Sequence, residues 1–181
     1  MKIEKFKPII EIPDGFKLVV DTREQTPLFL TYRPWIIYKK LDQGDYSVLG
    51  FEDKIAIERK SISDLLSVIG KNRERFEREI ARLKNYWWKG LLIEGTEKDV
   101  YDVHRFSSVH PNARYHSLAS FEIRGFHIYY AEDKRKARWW VLTRLIKFYR
   151  HMREGKDVEK VLPLNTLEQE GEQWIRPQKE D

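Results

Sequence analysis

Apolar runs of four to six residues dominate the first sixty positions, and a carboxylate stands at one end of three of them. β-Branched and aromatic residues are frequent in these runs, which is typical of strands. The runs cover positions 16–21, 35–39, 46–49 and 54–58. We therefore predict four strands, and a sheet built from them has to place acidic side chains at its ends.

Helical signals follow these strands. Ser61 precedes an apolar run and Asp64 stands three residues later, which is the pattern of a helix N-terminus with a capping box. We predict helices over 61–69, 72–87, 117–124 and 134–153, and two more strands over 90–95 and 126–130. Positions 99–115 have no clear period, so we expect a long connection there. Strands with intervening helices predict an α/β fold around one sheet that is at least partly parallel.

Length and composition exclude several classes of protein. The 181 residues suffice for one domain with a sizeable core. The absence of cysteine excludes disulfides, thiolate metal sites and a cysteine nucleophile. No apolar stretch is long enough to span a membrane, so we expect a cytoplasmic protein without a membrane partner. Positions 163–181 are rich in Gln, Glu and Pro, and we expect a disordered tail after a domain of residues 1–162.

Positive charge is concentrated in one predicted helix. Positions 134–153 hold eight Lys or Arg residues and no acid, which equals the net charge of +8 carried by residues 1–162. A solvated helix face and a surface that follows nucleic-acid phosphates both fit this pattern. Tryptophan pairs at 87–88 and 139–140 flank or interrupt basic runs, and packing in a core or a dimer interface is favoured for them over stacking on bases.

The acids beside the early strands predict a metal site. Asp21 and Glu58 end two predicted strands, and Asp45 begins a third. A sheet that gathers three carboxylates at one end brings like charges together, which costs free energy unless a cation lies among them. Carboxylate oxygens suit Mg²⁺ or Mn²⁺, so we expect one of these ions.

The spacing of Glu58, Arg59 and Lys60 adds a constraint. Successive side chains of a strand point to opposite faces, so Glu58 and Lys60 share a face and Arg59 points away from them. A carboxylate that holds metal and a nearby ammonium group can together orient a water and stabilise charge on a phosphate. Gly44 before Asp45 would allow the backbone to approach closely at a turn. Taken singly, each of these acids is more often a cap or a surface charge.

The ordered set of motifs resembles the nuclease domain of the XPF family, the structure-specific endonucleases of nucleotide excision repair, and archaeal relatives such as Hef. The resemblance rests on V-D-T-R-E at 20–24, L-D-Q-G-D-Y at 41–46 and I-E-R-K-S-I-S-D-L at 57–65. R-F-E-R-E-I-A-R-L at 75–83 and L-I-E-G at 92–95 add to it. The likeness extends from about position 17 to about position 150.

The resemblance implies a restriction-endonuclease-like fold, with a mixed central sheet flanked by helices, and metal-dependent hydrolysis of DNA phosphodiester bonds. Asp45 and Glu58 would be direct metal ligands, helped by a backbone carbonyl near Arg59, and Asp21 would hold the metal or its water. Lys60 would position the attacking water or stabilise the transition state. Arg23, Glu24 and Arg59 would support the site from around it. Asp64 would cap the following helix rather than touch metal.

The resemblance also implies DNA as partner and a homodimer, and two basic helices could hold the DNA backbone. The candidate phosphate-binding residues are Arg73, Arg75, Arg135, Arg138, Arg144 and Lys147. Most family members carry paired helix-hairpin-helix motifs, and fewer than thirty residues without that glycine pattern follow the basic helix here. We therefore expect a standalone nuclease domain that acts on branched, flap or junction DNA, alone or with a separate protein partner. A catalytically silent DNA-binding or docking module and an RNA nuclease are the alternatives.

Overall fold

The structure is a computed structural model, and it describes residues 10–30, 33–102 and 109–155. Within these residues, strands and helices follow one another along the chain. The strands are β1 (Leu18–Val20), β2 (Ile36–Tyr38), β3 (Tyr46–Val48), β4 (Ile55–Ser61), β5 (Trp88–Glu94) and β6 (Phe126–Ala131). The helices are α1 (Ile62–Ile69), α2 (Arg73–Arg82), α3 (Glu97–Tyr101), α4 (Pro111–Ile123) and α5 (Lys134–Arg153).

The six strands form one mixed sheet in the order β2-β1-β3-β4-β5-β6. β1 and β2 are parallel, as are β4, β5 and β6, whereas β3 is antiparallel to both of its neighbours. β1, β4, β5 and β6 therefore end at the same edge of the sheet, and β3 begins there. We call this the upper edge. The predicted α/β fold with a mixed central sheet is confirmed.

Helices cover both faces of the sheet, because alternate strand residues are apolar on each side. One buried cluster joins α5 to the sheet through Val20, Ile57, Leu92, Val141 and Leu145. The other joins α1, α2 and α4 to the opposite face through Leu65, Phe76, Leu91, Ile93 and Phe121. Leu91 and Leu92 are neighbours on β5 and enter different clusters, as the strand period requires. We call the two sides the α5 face and the α1/α2 face.

The predicted end of the second helix and the predicted start of the next strand are wrong. α2 ends at Arg82 rather than near Trp87, and β5 begins at Trp88 rather than at Gly90. The backbone N–H groups of Trp87 and Trp88 donate hydrogen bonds of 2.8 and 3.1 Å to the carbonyl oxygen of Lys54, which draws the chain into the sheet beside β4. Trp87 continues the helical apolar spacing in the sequence, but tertiary pairing outweighs that local signal.

The expectation of a long connection over 99–115 is also wrong in part. α3 begins at a capping box of Thr96 and Asp99, and α4 begins at Pro111 rather than near position 117. Arg114 is 1% exposed. Its guanidinium donates hydrogen bonds of 2.6 to 2.9 Å to the carbonyl oxygens of Val100, Asp102 and Val109. Buried Arg114 and Ser117 interrupt the apolar period of α4, so the sequence pattern conceals the first half of this helix.

α5 has the predicted bounds, and Ser61 caps α1 as predicted by accepting a 3.1 Å hydrogen bond from the backbone of Asp64. The predicted tail at 163–181 lies outside the described residues, as do positions 103–108 within the predicted connection. Among the helices of the described ranges, none has the length and apolar character that a membrane crossing requires.

Candidate active site

A cavity of about 410 Å³ opens between the upper edge and helices α1 and α2. It brings together five of the residues that the sequence predicts to be catalytic: Asp21, Arg23, Asp45, Glu58 and Lys60. They reach it from the ends of three strands. Asp21 follows β1, Asp45 precedes β3, and Glu58 and Lys60 lie on β4.

Asp45 is fixed at the floor of this cavity by backbone hydrogen bonds. Its N–H donates to the carbonyl of Ile57 at 2.8 Å, and its carbonyl accepts from the N–H of Asp21 at 2.9 Å. Oδ2 of Asp45 accepts a 2.7 Å hydrogen bond from the N–H of Arg59. Burial raises the pKa of Asp45 well above its usual range, and the negative charge of Glu58 adds a smaller contribution in the same direction. The carboxylate is therefore held in an environment that favours a cation.

Gly44 makes the placement of Asp45 possible. Its φ is +77°, a left-handed conformation that residues with a side chain rarely adopt. A Cβ atom at this position would lie 3.0 Å from Cβ of Ala56 and 3.1 Å from the carbonyl oxygen of Ile57. The expectation of a close backbone approach before Asp45 is confirmed.

Glu58 and Lys60 form an ion pair on the cavity side of β4, as their spacing predicts. Nζ of Lys60 lies 2.5 Å from Oε1 of Glu58 and 5.3 Å from the ring centroid of Phe76. Burial alone would lower the pKa of Lys60, but the charge and hydrogen bond of Glu58 outweigh it and the pKa is raised. The ammonium group therefore stays charged within reach of the carboxylates.

Arg59 points to the α5 face and does not line the cavity. Its guanidinium contacts Oε1 of Glu94 at 2.5 and 3.0 Å and donates a 2.7 Å hydrogen bond to the carbonyl of Thr26. Glu24 lies 3.4 Å from the same guanidinium. Glu24 and Arg59 thus belong to a supporting cluster behind the cavity, which agrees with the predicted direction of Arg59. Glu94 is a member of this cluster that the sequence analysis did not select.

Asp21 is saturated with hydrogen bonds. Oδ1 accepts from the backbone N–H and from Nε of Arg23 at 2.7 and 2.8 Å. Oδ2 accepts from the guanidinium of Arg23 at 2.9 Å and from the N–H of Leu41 at 2.7 Å. Burial would raise the pKa of Asp21, but the bonds from Arg23 and Leu41 outweigh it and the pKa is lowered. These four donors use the capacity of the carboxylate, so Asp21 has partners other than the metal that the resemblance implies.

The donor set fits a hard divalent cation through two residues. Within residues 10–30, 33–102 and 109–155, no three acidic or histidine side chains converge on a common point. With Asp21 committed to Arg23, Asp45 and Glu58 are the two interacting carboxylates of the predicted ligand set. Mg²⁺ commonly binds one or two carboxylates and completes its shell with water and phosphate oxygens. Burial is the main cause of the raised pKa of Asp45, and repulsion from Glu58 adds to it; a cation between the two carboxylates would relieve that repulsion.

One face of α2, together with its N-cap residue, supplies cavity residues that the sequence analysis missed. Asn72, Glu79 and Arg82 line the cavity beside Arg75, which was predicted for DNA binding. These four positions follow helical spacing and run next to the apolar stripe of Phe76 and Ile80. That polar stripe is the signal that would have identified them. Asp42 and Gln43, in the loop before Gly44, also line the cavity.

The other predicted DNA-binding residues lie elsewhere. Arg73 contacts Glu77 at 3.8 Å and Ser117 at 3.4 Å, outside the cavity lining. Arg138 donates a 2.6 Å hydrogen bond to the carbonyl of Leu28. Arg135, Arg138, Arg144 and Lys147 all belong to α5, which packs on the face of the sheet opposite the cavity.

A family profile described as the ERCC4 domain matches residues 20–141. The chain belongs to the ERCC4 domain family. The match spans the carboxylates of the upper edge, the cavity and the start of α5, and it confirms the family resemblance drawn from the sequence.

Solved structures support the fold of this ERCC4 domain. XPF from Aeropyrum pernix is 22% identical over 71% of this chain and 59% of that chain, with a TM-score of 0.56. XPF from Aeropyrum pernix in complex with DNA is 23% identical over 74% of this chain and 64% of that chain, also with a TM-score of 0.56. The chain thus spans less than two thirds of the length of either. A comparison with curated proteins found no match.

Proposed function

We propose that the chain is a divalent-metal-dependent endonuclease that hydrolyses phosphodiester bonds in DNA. The observation that carries this proposal is the meeting of Asp45, Glu58 and Lys60 in one cavity at the upper edge. Membership of the ERCC4 domain family supports it, because the XPF nucleases that the sequence resembles have that activity. One of the similar structures, XPF from Aeropyrum pernix, is a complex with DNA, which adds support for DNA as the ligand.

Asp45 and Glu58 would hold Mg²⁺ or Mn²⁺. When bound, such an ion would polarise the scissile phosphate and promote ionisation of the attacking water. The hydrogen bond from the Arg59 N–H to Oδ2 of Asp45 orients that carboxylate toward the cavity. Asp21 holds Arg23 and the chain at Leu41 in place, and we assign it to the support of the site rather than to the ligand set.

Lys60 would act on the reacting phosphate or on the attacking water. Its ammonium group has three donors, and Glu58 accepts one of them. A fixed positive charge beside a phosphate stabilises the negative charge that develops in the transition state, and a partly buried site strengthens this effect. The raised pKa of Lys60 keeps it charged at neutral pH.

The cavity walls carry cations that would hold the DNA backbone on either side of the scissile bond. Arg23, Arg75 and Arg82 line the cavity and can donate to phosphate oxygens. We propose branched, flap or junction DNA as the substrate, with the protein acting in the cytoplasm beside the nucleoid. A homodimer or a separate protein partner would supply the further DNA contacts that a single cavity does not.

The test is a cleavage assay on labelled single-stranded, duplex, splayed-arm, 3′-flap and four-way-junction DNA, with Mg²⁺, Mn²⁺ or EDTA. Low salt is needed because phosphate contacts weaken steeply as ionic strength rises. Wild-type protein should cut in the presence of metal and not in EDTA. Glu58→Gln should not cut, whereas the matched variant Glu97→Gln, an exposed residue on α3, should cut like wild type.

Other outcomes would identify the alternatives. Binding of DNA by folded protein without cleavage of any substrate would support the catalytically silent module. Faster cleavage of matched RNA than of DNA would support an RNA nuclease. Cleavage by Glu58→Gln at the wild-type rate would overturn the assignment of the site.

A further inference from the structure

A ladder of four rings lies on the α5 face, away from the catalytic cavity. His127 stacks on Trp88 with centroids 5.0 Å apart and planes at 7°. Trp88 contacts Trp140 at 5.7 Å, and Trp140 stacks on Tyr129 at 5.2 Å and 8°. We call these four side chains the aromatic ladder. His127 is exposed at one end of it, and Tyr129 is half-buried at the other.

Gly90 on β5 makes room for the aromatic ladder. A Cβ atom at this position would lie 2.8 Å from ring atoms of both Trp88 and Trp140. The rings therefore lie directly against the backbone of the sheet. The ladder is at the border of the described sheet, because β6 is its last strand.

Cations without acidic partners lie beside the aromatic ladder. The guanidinium of Arg144 lies 5.2 Å from the ring centroid of Trp140, and Lys147 follows one turn later on α5. Both residues are exposed, and no carboxylate of the described ranges forms an ion pair with either. Partial burial and the nearby charges of Arg144 and Lys89 lower the pKa of His127, so the local field is positive.

Three other cations of α5 differ in this respect. Arg135 lies 3.9 Å from Asp133, and Lys136 lies 2.5 Å from Glu132. Arg138 is hydrogen-bonded to the carbonyl of Leu28. Arg144 and Lys147 are thus two cations of α5 beside the ladder that are available to an anion in solution.

We propose that the aromatic ladder, Arg144 and Lys147 bind an unpaired strand of DNA. Aromatic rings and arginine planes stack on unpaired bases, and free cations track the phosphates between them. Trp140 is buried and Trp88 and Tyr129 are half-buried, so His127 is the ring of the ladder that is exposed to a base. An acidic protein would match the charge but would leave the exposed ring of His127 without a stacking partner. The inference rests on the proposed function in one respect, because it takes DNA to be the substrate.

The aromatic ladder, Arg144 and Lys147 lie where they could receive a DNA strand that leaves the catalytic cavity. Arg59 on β4 pairs in register with Leu92 on β5, which pairs with Tyr129 on β6. Tyr129 is therefore two strands from Arg59, roughly 10 Å across the sheet. A splayed strand could pass from the upper edge onto the α5 face while the cut strand stays in the cavity.

The test measures the affinity of the full chain for a fluorescent 20-residue oligo(dT) by anisotropy, in EDTA and low salt. Arg144→Glu should weaken binding by at least about tenfold and His127→Ala by about fivefold, which are within the range for loss of one stacking contact. Lys98→Glu is the matched control, because Lys98 is exposed on α3 and its substitution changes the net charge equally. It should bind within twofold of wild type. Arg144→Gln provides a second, uncharged substitution.

Three results would overturn the proposal. They are wild-type binding by both Arg144 variants, equal losses in Arg144→Glu and Lys98→Glu, and displacement of oligo(dT) by poly-glutamate as effective as by unlabelled oligo(dT). Binding is measured in EDTA, where no metal-dependent cleavage occurs. The measurement therefore tests binding at the aromatic ladder separately from the proposed nuclease activity. A failure of cleavage would leave the binding result intact.

Discussion

The backbone N–H of Arg59 donates a 2.7 Å hydrogen bond to Oδ2 of Asp45, while the guanidinium of the same Arg59 contacts Glu94 on the opposite face of the sheet. One residue of β4 thus connects the cavity at the upper edge to the supporting cluster behind it. The side chain fixes the end of β4 between Glu24 and Glu94, and the backbone orients the carboxylate. This explains how a residue that does not line the cavity can control its geometry.

Arg59→Ala should destabilise the protein and reduce its activity. The substitution leaves Glu24 and Glu94 close together without a cation, and we expect a loss of about 2 kcal/mol, below the range for fully buried pairs because Glu94 is 30% exposed. Glu94→Gln keeps an acceptor for Arg59 and should cost about 1 kcal/mol. Urea denaturation of the two variants measures both values. Equal stabilities of Arg59→Ala and wild type would contradict the role of the cluster.

Asp21→Asn should lose stability in a manner that depends on pH. An amide group would present donors where Asp21 accepts from Arg23 and Leu41, and we expect a loss of about 2–3 kcal/mol at pH 7. The folded-state pKa of Asp21 lies below the ordinary value of 3.8. Its contribution is therefore present above that value and is lost as the pH falls through the folded-state pKa.

The measurement for Asp21→Asn is urea denaturation at several pH values between 7 and 2.5. The difference in free energy of unfolding between wild type and variant should be constant above about pH 5 and should narrow below about pH 4. A difference that grows as the pH falls would contradict the lowered pKa of Asp21.

Gly44→Ala should impair catalysis more than an equivalent substitution elsewhere. The new Cβ would meet Ala56 and the carbonyl group of Ile57. The same carbonyl oxygen accepts the hydrogen bond from the backbone N–H of Asp45. Gly50→Ala is the matched control, because Gly50 has φ +84° and nothing lies within 4 Å of its added Cβ. Both should lose about 1 kcal/mol or more through backbone strain. The cleavage rate should fall further in Gly44→Ala than in Gly50→Ala.

Arg75 and Arg73 separate cavity contacts from general positive charge on α2. Arg75 lines the cavity and Arg73 does not. Arg75→Ala should weaken DNA binding and reduce the slope of log K against log salt by about 1, as expected for one lost phosphate contact. Arg73→Ala should change the slope by less than half as much as Arg75→Ala does. Similar losses in both variants would show that the helix acts only through its net charge.

The local motifs of the sequence predicted the upper edge well because each depends on short-range rules. The strand period placed Glu58 and Lys60 on one face and Arg59 on the other, and the structure has this arrangement. The capping signal at Ser61 predicted where α1 begins. The run of basic residues without an acid over positions 134–153 predicted α5. These features need no knowledge of distant parts of the chain.

Features set by distant contacts were not predictable in the same way. Four donors converge on Asp21, and one of them is the N–H of Leu41, twenty positions away. Arg114 reads as a surface residue in the sequence, yet three backbone carbonyls surround its guanidinium. The division of basic residues between the cavity and the α5 face likewise depends on which helix covers which side of the sheet.

Asp45 and Glu58 are proposed to hold the ion that makes the chain a nuclease. Single-turnover cleavage of flap DNA over a titration of Mn²⁺ tests this proposal, with wild type, Asp45→Asn, Glu58→Gln and Glu97→Gln compared at equal folded fraction. Loss of a partner outside the ligand set commonly costs 10- to 100-fold in metal affinity or activity, so either ligand variant should lose at least about 100-fold in rate and fail to saturate with Mn²⁺. Glu97→Gln should follow the wild-type curve. Saturation of Glu58→Gln at the wild-type Mn²⁺ concentration and rate would contradict the assignment of Glu58 as a metal ligand.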